Sequence, residues 1–483
     1  MRHLWKKGFV SNYYVWVYHG ETFQISDENI SVRNTDVYDQ PNSYIEMVQD
    51  AFPSQYNDQV TEDPMNEASK KFFDLLEAAN QPIYDGCKEG LSQLSASARL
   101  MGMKTSYNLT ENCMNEVCQM LNDYLPQGNN APDSYYDMSK LMGSLGMESI
   151  KIDVCPNNCM IFWKESNQLD NCRFCGAERY KAKKSGQRNR VPYKRMFYLP
   201  IKDRLRRLYE SHQLASHMRW HAEHTSDPEN MSHPSDGDAW KNFNEVYPNF
   251  ASEHRNVYLC LCTDGFAPYG QSGKQYSLWP IVMSPYNLPP DMCLKKEFLF
   301  LTVLIPGPEH PKKSFDIFLQ PLIEELLESW HCGIDAYDAS QKENFRLKAV
   351  LMWTISDFPA YGMLSGWSTH GRLACPYCMD DIQSFQLRHG RKSCWFDYHR
   401  RFLSLDHPWR RNKINFRKNK IVTDSPPLLL TGEEILWERI ESIHGLDKTI
   451  DCGGNGHRKP CEYGETHNWY KRSIIWDLPY WRW

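Results

Sequence analysis

The chain of 483 residues is long enough for roughly two to four domains and a sizeable core. Its net charge of -5 conceals a marked asymmetry between segments, and aromatic residues are frequent at 13%. No apolar run approaches the roughly 18 residues that would span a membrane. The opening Met1-Arg-His-Leu-Trp-Lys-Lys-Gly8 also lacks the apolar stretch of a secretory signal. The chain therefore reads as intracellular, with sixteen cysteines expected as thiols or metal ligands rather than disulfides.

Residues 21–66 hold ten acids and a single base, Arg33, with no helical or strand period, so 22–66 reads as an acidic linker. Residues 67–150 read as helical. Phe72, Phe73, Leu75 and Leu76 make one amphipathic stripe, and Met114, Val117, Met120, Leu121 and Leu125 another. The loop Leu125-Pro-Gln-Gly-Asn-Asn-Ala-Pro132 precedes a further short helix. No chemistry is visible there, and packing or multimer contacts are the expected role.

Within 151–180 the spacing Cys155-x3-Cys159-x12-Cys172-x2-Cys175, closed by Gly176, is a pair of knuckles. Two knuckles about a dozen residues apart can set four thiolates tetrahedrally around one zinc and staple a small ribbon that has little core of its own. Four thiolates leave no open coordination position, so the expected zinc is structural. From 181 to 250 bases and aromatics mix. Lys181, Lys183, Lys184, Arg188, Arg190, Lys194 and Arg195 fall in one stretch without an acid, and Arg204, Arg206 and Arg207 within one helical turn. Dense exposed Lys and Arg suit phosphate contacts, so this region is expected to bind DNA. The first stretch equally suits a nuclear-localisation signal.

Residues 251–372 order as strand, strand, strand, helix, strand. The runs are Asn256 to Asp264, Tyr276 to Met283, Phe298 to Ile305, a helical stretch Phe315 to Trp330, and Leu347 to Asp357. An acid ends the first run (Asp264) and the last (Asp357). That is the layout of an RNase H-like α/β core, in which carboxylates on neighbouring strands hold divalent metal for phosphodiester chemistry. An aspartate before Gly265 also suits a plain turn, and one before Phe358-Pro359 a strand terminator. In 373–425, Cys375-Pro-Tyr-Cys378 with Cys394 and His399 makes a Cys3His zinc set, for which His389 and His407 compete with His399. Bases from Arg388 to Lys420 surround it. In 426–483 the stretch Thr431 to Ile443 carries Glu433, Glu434 and Glu438, acids that fit a helix start without any metal.

Specific strings run through nearly the whole chain in one order. They are the Cys-x3-Cys…Cys-x2-Cys-Gly ribbon, Arg204-Leu-Arg-Arg-Leu-Tyr209, Met218-Arg-Trp-His221, His233-Pro-Ser-Asp-Gly-Asp-Ala-Trp240 and Thr263-Asp-Gly-Phe266. Then come Trp279-Pro280, Tyr286-Asn-Leu-Pro289, Ile305-Pro-Gly-Pro308, Asp357-Phe-Pro-Ala-Tyr-Gly362, Leu364-Ser-Gly-Trp-Ser-Thr369 and Cys375-Pro-Tyr-Cys378. On these the chain resembles the plant CACTA-type (En/Spm-class) transposases. The resemblance implies a DDE/D-type enzyme that cuts and rejoins DNA at transposon ends in the nucleus. Asp264 and Asp357 match its first two catalytic acids, with Mg2+ or Mn2+ as catalytic metal and Zn2+ as structural metal. The implied partners are DNA and other copies of the chain, with no membrane and no small-molecule substrate.

The opening Leu4 to Glu21 resembles the end of that family's N-terminal transposase-associated module, without its upstream cysteines, and 1–21 reads as its remnant. Ser473-Ile-Ile-Trp-Asp-Leu-Pro-Tyr-Trp481 resembles a string after which the family has a histidine motif and a third acid. The expected RNase H-like mixed sheet is therefore incomplete at its C-terminal side. The alternative to an enzyme is a transposon-derived, non-catalytic protein that binds zinc and DNA.

Overall fold

The computed structural model describes residues 64–482, apart from 146–148, 184–185, 187–188, 227–230, 269–275, 417–419, 429 and 455–457. The N-terminal remnant 1–21, nearly all of the acidic linker, and Lys184 and Arg188 of the basic stretch lie outside the described residues.

The described residues open with four helices, each started by a side chain that takes up an otherwise orphaned amide. Helix α1 is Glu67–Ala79, capped by Asn66; α2 is Gln93–Tyr107, with a Ser92/Ser95 capping box; α3 is Glu111–Tyr124, capped by Thr110; α4 is Tyr135–Ser144, capped by Ser134. Their apolar residues gather in two small clusters. One contains Phe72, Leu76, Ala79, Leu94 and Leu145, the other Leu100, Met114, Cys118 and Met138. Leu75 and Val117, on the flanks of the expected stripes, are only partly buried.

A six-stranded sheet follows. Its strands are β1 (Ile150–Val154), β2 (Lys194–Tyr198), β3 (Val257–Thr263), β4 (Trp279–Pro285), β5 (Phe300–Ile305) and a last strand, Ala349–Ile355, numbered β8 below. Helices α5 (Lys202–Glu210) and α6 (Asp238–Val246) intervene between β2 and β3. After β5 come α7 (Phe315–His331), the hairpin β6 (Ile334–Asp338) with β7 (Glu343–Leu347), then β8 and α8 (Phe358–Ser365). The order across the sheet is β1-β2-β5-β4-β3-β8. Neighbours are antiparallel except β3 and β8, which run parallel. A parallel pair needs a crossover, and α7 with the β6–β7 hairpin supplies it.

Two features depart from the sequence-based reading. The β6–β7 hairpin was hidden between the helical run and the last strand, because Asp338 and Lys342 at its turn interrupt the apolar pattern. The Cys ribbon was expected ahead of the sheet but is the connection between β1 and β2, which together extend the sheet past β5.

The main core joins the inner sides of β3, β4 and β8 to one face of α7, where Phe315, Phe318, Leu319, Leu322 and Leu326 are completely buried. The C-terminal string belongs to this core: Ile474, Ile475, Leu478 and Tyr480 are buried in it. Leu351 on the outer edge of β8 donates its amide to the Tyr480 hydroxyl at 3.1 Å, and its carbonyl accepts from Trp481 Nε1 at 2.6 Å. Two aromatic side chains thus satisfy backbone groups that an edge strand otherwise leaves open.

Candidate active site and metal centres

The sequence Val-Tyr-Leu-Cys-Leu-Cys-Thr of β3 is apolar on both sides because the strand is covered on both faces for most of its length, which is how a parallel-paired strand reads. Near the end of the strand Cys262 is exposed, as is its parallel partner Ile355 at 49%, whereas Thr263 stays buried. Asp264 follows Cys262 by two residues and Asp357 follows Ile355 by two. The two acids thus stand at equal distances along the chain beyond the last paired residues of these neighbouring strands. Neighbouring strands lie ~4.8 Å apart, close to the ~3.5–4 Å separation of ions in two-metal sites.

Each acid is exposed and has one oxygen held by the backbone. Asp264 Oδ1 accepts from the Gly265 amide at 2.6 Å, and Asp357 Oδ1 accepts from the Ala360 amide at 2.8 Å as the N-cap of α8. The residue after Asp264 must be glycine for a steric reason. A Cβ there would lie 2.4 Å from the Trp279 indole, which is buried under the turn.

Trp279 organises the rest of this end. Its Nε1 donates to Ser277 Oγ at 2.9 Å, its ring meets His310 edge-on at 5.5 Å, and its register partner is Ile305 at the end of β5. Gly307 is equally constrained, since a Cβ would meet the Ser277 carbonyl at 2.7 Å. The Thr-Asp-Gly-Phe, Trp-Pro and Ile-Pro-Gly-Pro strings, scattered in sequence, therefore close one end of the sheet around Asp264.

The His-Pro-Ser-Asp-Gly-Asp-Ala-Trp string packs against β3 and β8 earlier along both strands. Trp240 stacks on Tyr258 of β3 at 4.0 Å and tilts against Trp353 of β8 at 5.6 Å. Asp236 accepts from the Ser232 and His233 amides, both at 3.0 Å, and from His224 Nε2 at 2.8 Å. Burial raises the Asp236 carboxyl, but the hydrogen bonds from Ser226, His224 and these amides outweigh it and hold it well below the usual range. His221 is buried among Trp240 and Tyr258, and burial pushes it down to about 3, so it is neutral.

Cys155, Cys159, Cys172 and Cys175 bring four sulfurs within 4.8 Å of one another, the first three buried. Each knuckle is closed by backbone: the Asn158 amide reaches the Cys155 carbonyl at 2.9 Å, and the Gly176 amide the Cys172 carbonyl at 2.9 Å. Asn158 and Gly176 both have positive φ, 57° and 71°. Sulfurs bound tetrahedrally at ~2.3 Å stand ~3.8 Å apart, and Cys155 and Cys175 are at 3.6 Å. Burial pushes the Cys155 thiol up to about 11. At Cys175 burial is outweighed by hydrogen bonds from the Ala177 amide, Asn157 and neighbouring thiols, which bring it down to about 6. The donor set is compatible with structural zinc. Gly453 and Gly454 pack against Phe174 and Asn158 of the ribbon, where a Cβ would come within 2.4 and 2.5 Å.

In the second set Cys375, Cys378 and His399 come within 4.8 Å of one another, with Cys378 Sγ and His399 Nε2 at 3.6 Å. Cys394 is not a member of that group. It pairs with Phe385 in a short hairpin, and His407 instead caps the turn at Trp409. Glu434 closes a capping box with the Thr431 amide at 2.7 Å.

Many of the bases expected to meet DNA are occupied by the fold. Arg204 donates to the Pro200 carbonyl at 3.0 Å and the Leu301 carbonyl at 2.8 Å. Arg206 pairs with Asp203 at 2.5 Å, and Arg207 pairs with Glu210 and covers the Phe72 ring at 3.4 Å. The turn that gathers them faces α1 and the sheet edge rather than solvent, and helical spacing alone carries no sign of that. Lys194 is half-buried, donates to Asn158 at 2.6 Å and is pushed down to about 8 by desolvation. Arg195 and Arg190 pair with Asp153 and Asp170, each at 2.8 Å, while Lys181 and Lys183 are exposed. Near the second cysteine set, Arg400, Arg401 and Arg410 are buried and bind carbonyls, whereas Arg388, Arg391, Lys392, Arg411 and Lys413 are exposed. Sequence reasoning missed the buried pair Arg179–Asp153 at 2.9 Å, which locks the ribbon to β1.

Residues 228–442 match the family model described as transposase family tnp2, and this supports a transposase. The match spans Asp264, Asp357, every strand from β3 to β8 and the second cysteine set, whereas the four-cysteine ribbon lies ahead of it. No curated protein matches the chain.

Proposed function

We propose that the chain is a DDE/D-type transposase of the CACTA class that cleaves and transfers DNA strands at transposon ends. The observation that supports this reading is the parallel pairing of β3 with β8, since Asp264 and Asp357, both exposed, each follow by two residues the last register pair, Cys262 and Ile355. The strand order β5-β4-β3-β8, with α7 crossing between β5 and β8, supports an RNase H-like core. Asp264 and Asp357 would hold Mg2+ or Mn2+, which when bound activates water or a 3′-hydroxyl for attack on phosphorus and neutralises the leaving oxygen. The carboxylates' task is to hold charge at a fixed spacing, and the Gly265 and Ala360 amides orient them for it. Phosphate tracking would fall to exposed bases, Lys181 and Lys183 on one side and Arg388, Arg391 and Lys392 on the other. The reading carries with it a nuclear location and assembly of more than one copy on paired ends.

One observation favours a second reading, a transposon-derived protein that binds zinc and DNA without cutting. Each acid has a local role that needs no metal: Asp357 caps a helix and Asp264 accepts the Gly265 amide. The test is incubation of the purified full chain with supercoiled DNA and Mg2+ or Mn2+, beside Asp264→Asn. Nicking that the variant loses by at least about 100-fold while still shifting DNA in a gel supports catalysis. Equal shifts with no nicking by either protein support the second reading.

A further inference from the structure

The helix that Asp357 starts also leads away from the acids into an aromatic cavity. Tyr361 and Ser365 on α8 stand one and two turns beyond Asp357, ~6 and ~12 Å along the helix at ~1.5 Å per residue. Both line a cavity of about 300 Å³. Trp367 and Trp469 also line it, buried and set edge to face at 4.6 Å and 83°. A further wall is Pro376 and Tyr377, the two residues between Cys375 and Cys378. The Cys-x2-Cys turn thus holds Tyr377 at the rim with 72% of its surface exposed. Phe358, next to Asp357 and 51% exposed, stacks on Tyr361 at 6.4 Å and 15°, so aromatic surface continues from the acid to the cavity.

An occupant must be flat, apolar on its faces, and delivered by whatever the acids act on. A DNA strand advances ~3.4 Å per nucleotide, so a cavity ~6–12 Å from the acid is two to three nucleotides away. We propose that this cavity receives one unstacked base of the DNA strand whose phosphate lies at Asp264 and Asp357, with Tyr377 and Tyr361 as its stacking surface. The proposal rests on the reading of the chain as a DNA strand-transfer enzyme. Stacking is indifferent to base identity, because every base has a π-face, so the cavity fixes the position of the strand rather than its sequence.

The test uses the full chain and a fluorescein-labelled duplex with a single-stranded overhang, intact or carrying abasic residues within three nucleotides of the junction. Binding is read by anisotropy in Ca2+. The intact overhang is expected to bind roughly 5–100-fold tighter than the abasic one, the range that stacking of one base provides. Tyr377→Ala should remove that difference and Tyr377→Phe keep it. Equal binding of both DNAs by the parent protein overturns the cavity assignment and leaves the strand-transfer reading standing. Failure to bind either DNA overturns both. Self-association that depends on Tyr377, with equal binding of the two DNAs, assigns the cavity to a second copy of the chain and also overturns the proposal. The comparison of the two DNAs uses the unaltered protein, so a variant that misfolds does not spoil it.

Discussion

Replacing Lys471 by Met should destabilise the protein far more than its place near the chain's end suggests. Lys471 Nζ lies 2.5 Å from Asp316 Oδ1, and neither side chain is more than 1% exposed. Asp316 sits in the first turn of α7, and its Oδ2 accepts the Ile474 amide at 3.1 Å. The same segment grips α8: Tyr470 reaches the Gly362 carbonyl at 2.9 Å, Ser473 caps the Leu364 carbonyl, and Gly366 leaves no room for a Cβ beside the Lys471 carbonyl.

In Lys471→Met, Asp316 keeps one amide and loses its cation in a site closed to water. Removing one partner of a buried pair costs about 3–5 kcal/mol, and at roughly 2–4 °C per kcal/mol the melting temperature should fall roughly 6–20 °C. Burial already raises the Asp316 carboxyl, and without Lys471 it rises further. A carboxyl raised in the folded state stabilises when protonated, so the variant's deficit should shrink as pH falls through the carboxylate range and be largest near neutrality. Urea unfolding of parent and variant at pH 7 and pH 5 measures both quantities. Asp316→Leu combined with Lys471→Met should regain most of the loss, because an apolar pair needs no desolvation of charge. A single variant within 1 kcal/mol of the parent, or a double variant as weak as the single one, would refute the reasoning.

Three further outcomes are expected. Elemental analysis should find zinc that drops by one equivalent in Cys159→Ser and by another in Cys378→Ser; unchanged content in either variant removes that centre. Lys181→Ala with Lys183→Ala should lower the slope of log affinity against log salt by ~1–2, at ~0.7–0.9 per phosphate contact. Arg206→Ala should instead lower stability and leave the slope unchanged, and a reversed pattern would contradict the inward placement of Arg206. His221→Gln should flatten the acid limb of the stability curve. With His221 depressed to about 3, its contribution is complete above the unfolded value near 6.5 and is lost as pH falls toward 3, by at most about 1.4 kcal/mol per unit. Parallel pH profiles for parent and variant would show that His221 does not govern this limb.

Where a signal is local, the sequence alone carried it. The Cys-x3-Cys and Cys-x2-Cys spacings are knuckles because a tight turn is set by its own few residues, and the four sulfurs of the first set do converge. The runs ending at Asp264 and Asp357 are strands because an apolar stretch of seven residues with a turn behind it has few other uses. Helical stripes such as Phe72/Leu76 were legible from their period for the same reason.

What depends on partners distant in sequence could not be read that way. Nothing in the pattern of β8 fixes its register against β3; the crossover through α7 and the parallel ladder decide that the last paired residues are Cys262 and Ile355, each two before an acid. Spacing likewise gathered Arg204, Arg206 and Arg207 on one turn but could not say which way the turn faces. Their partners, the Leu301 carbonyl, the Phe72 ring and the Glu210 carboxylate, come mostly from other elements. Cys394 fits a ligand spacing as well as His399 does, and only the packing of the insertion separates them. Residue type and period are determined along the chain, whereas the neighbour of each charge and the face of each strand are settled by long-range pairing, which exists only once the sheet has closed.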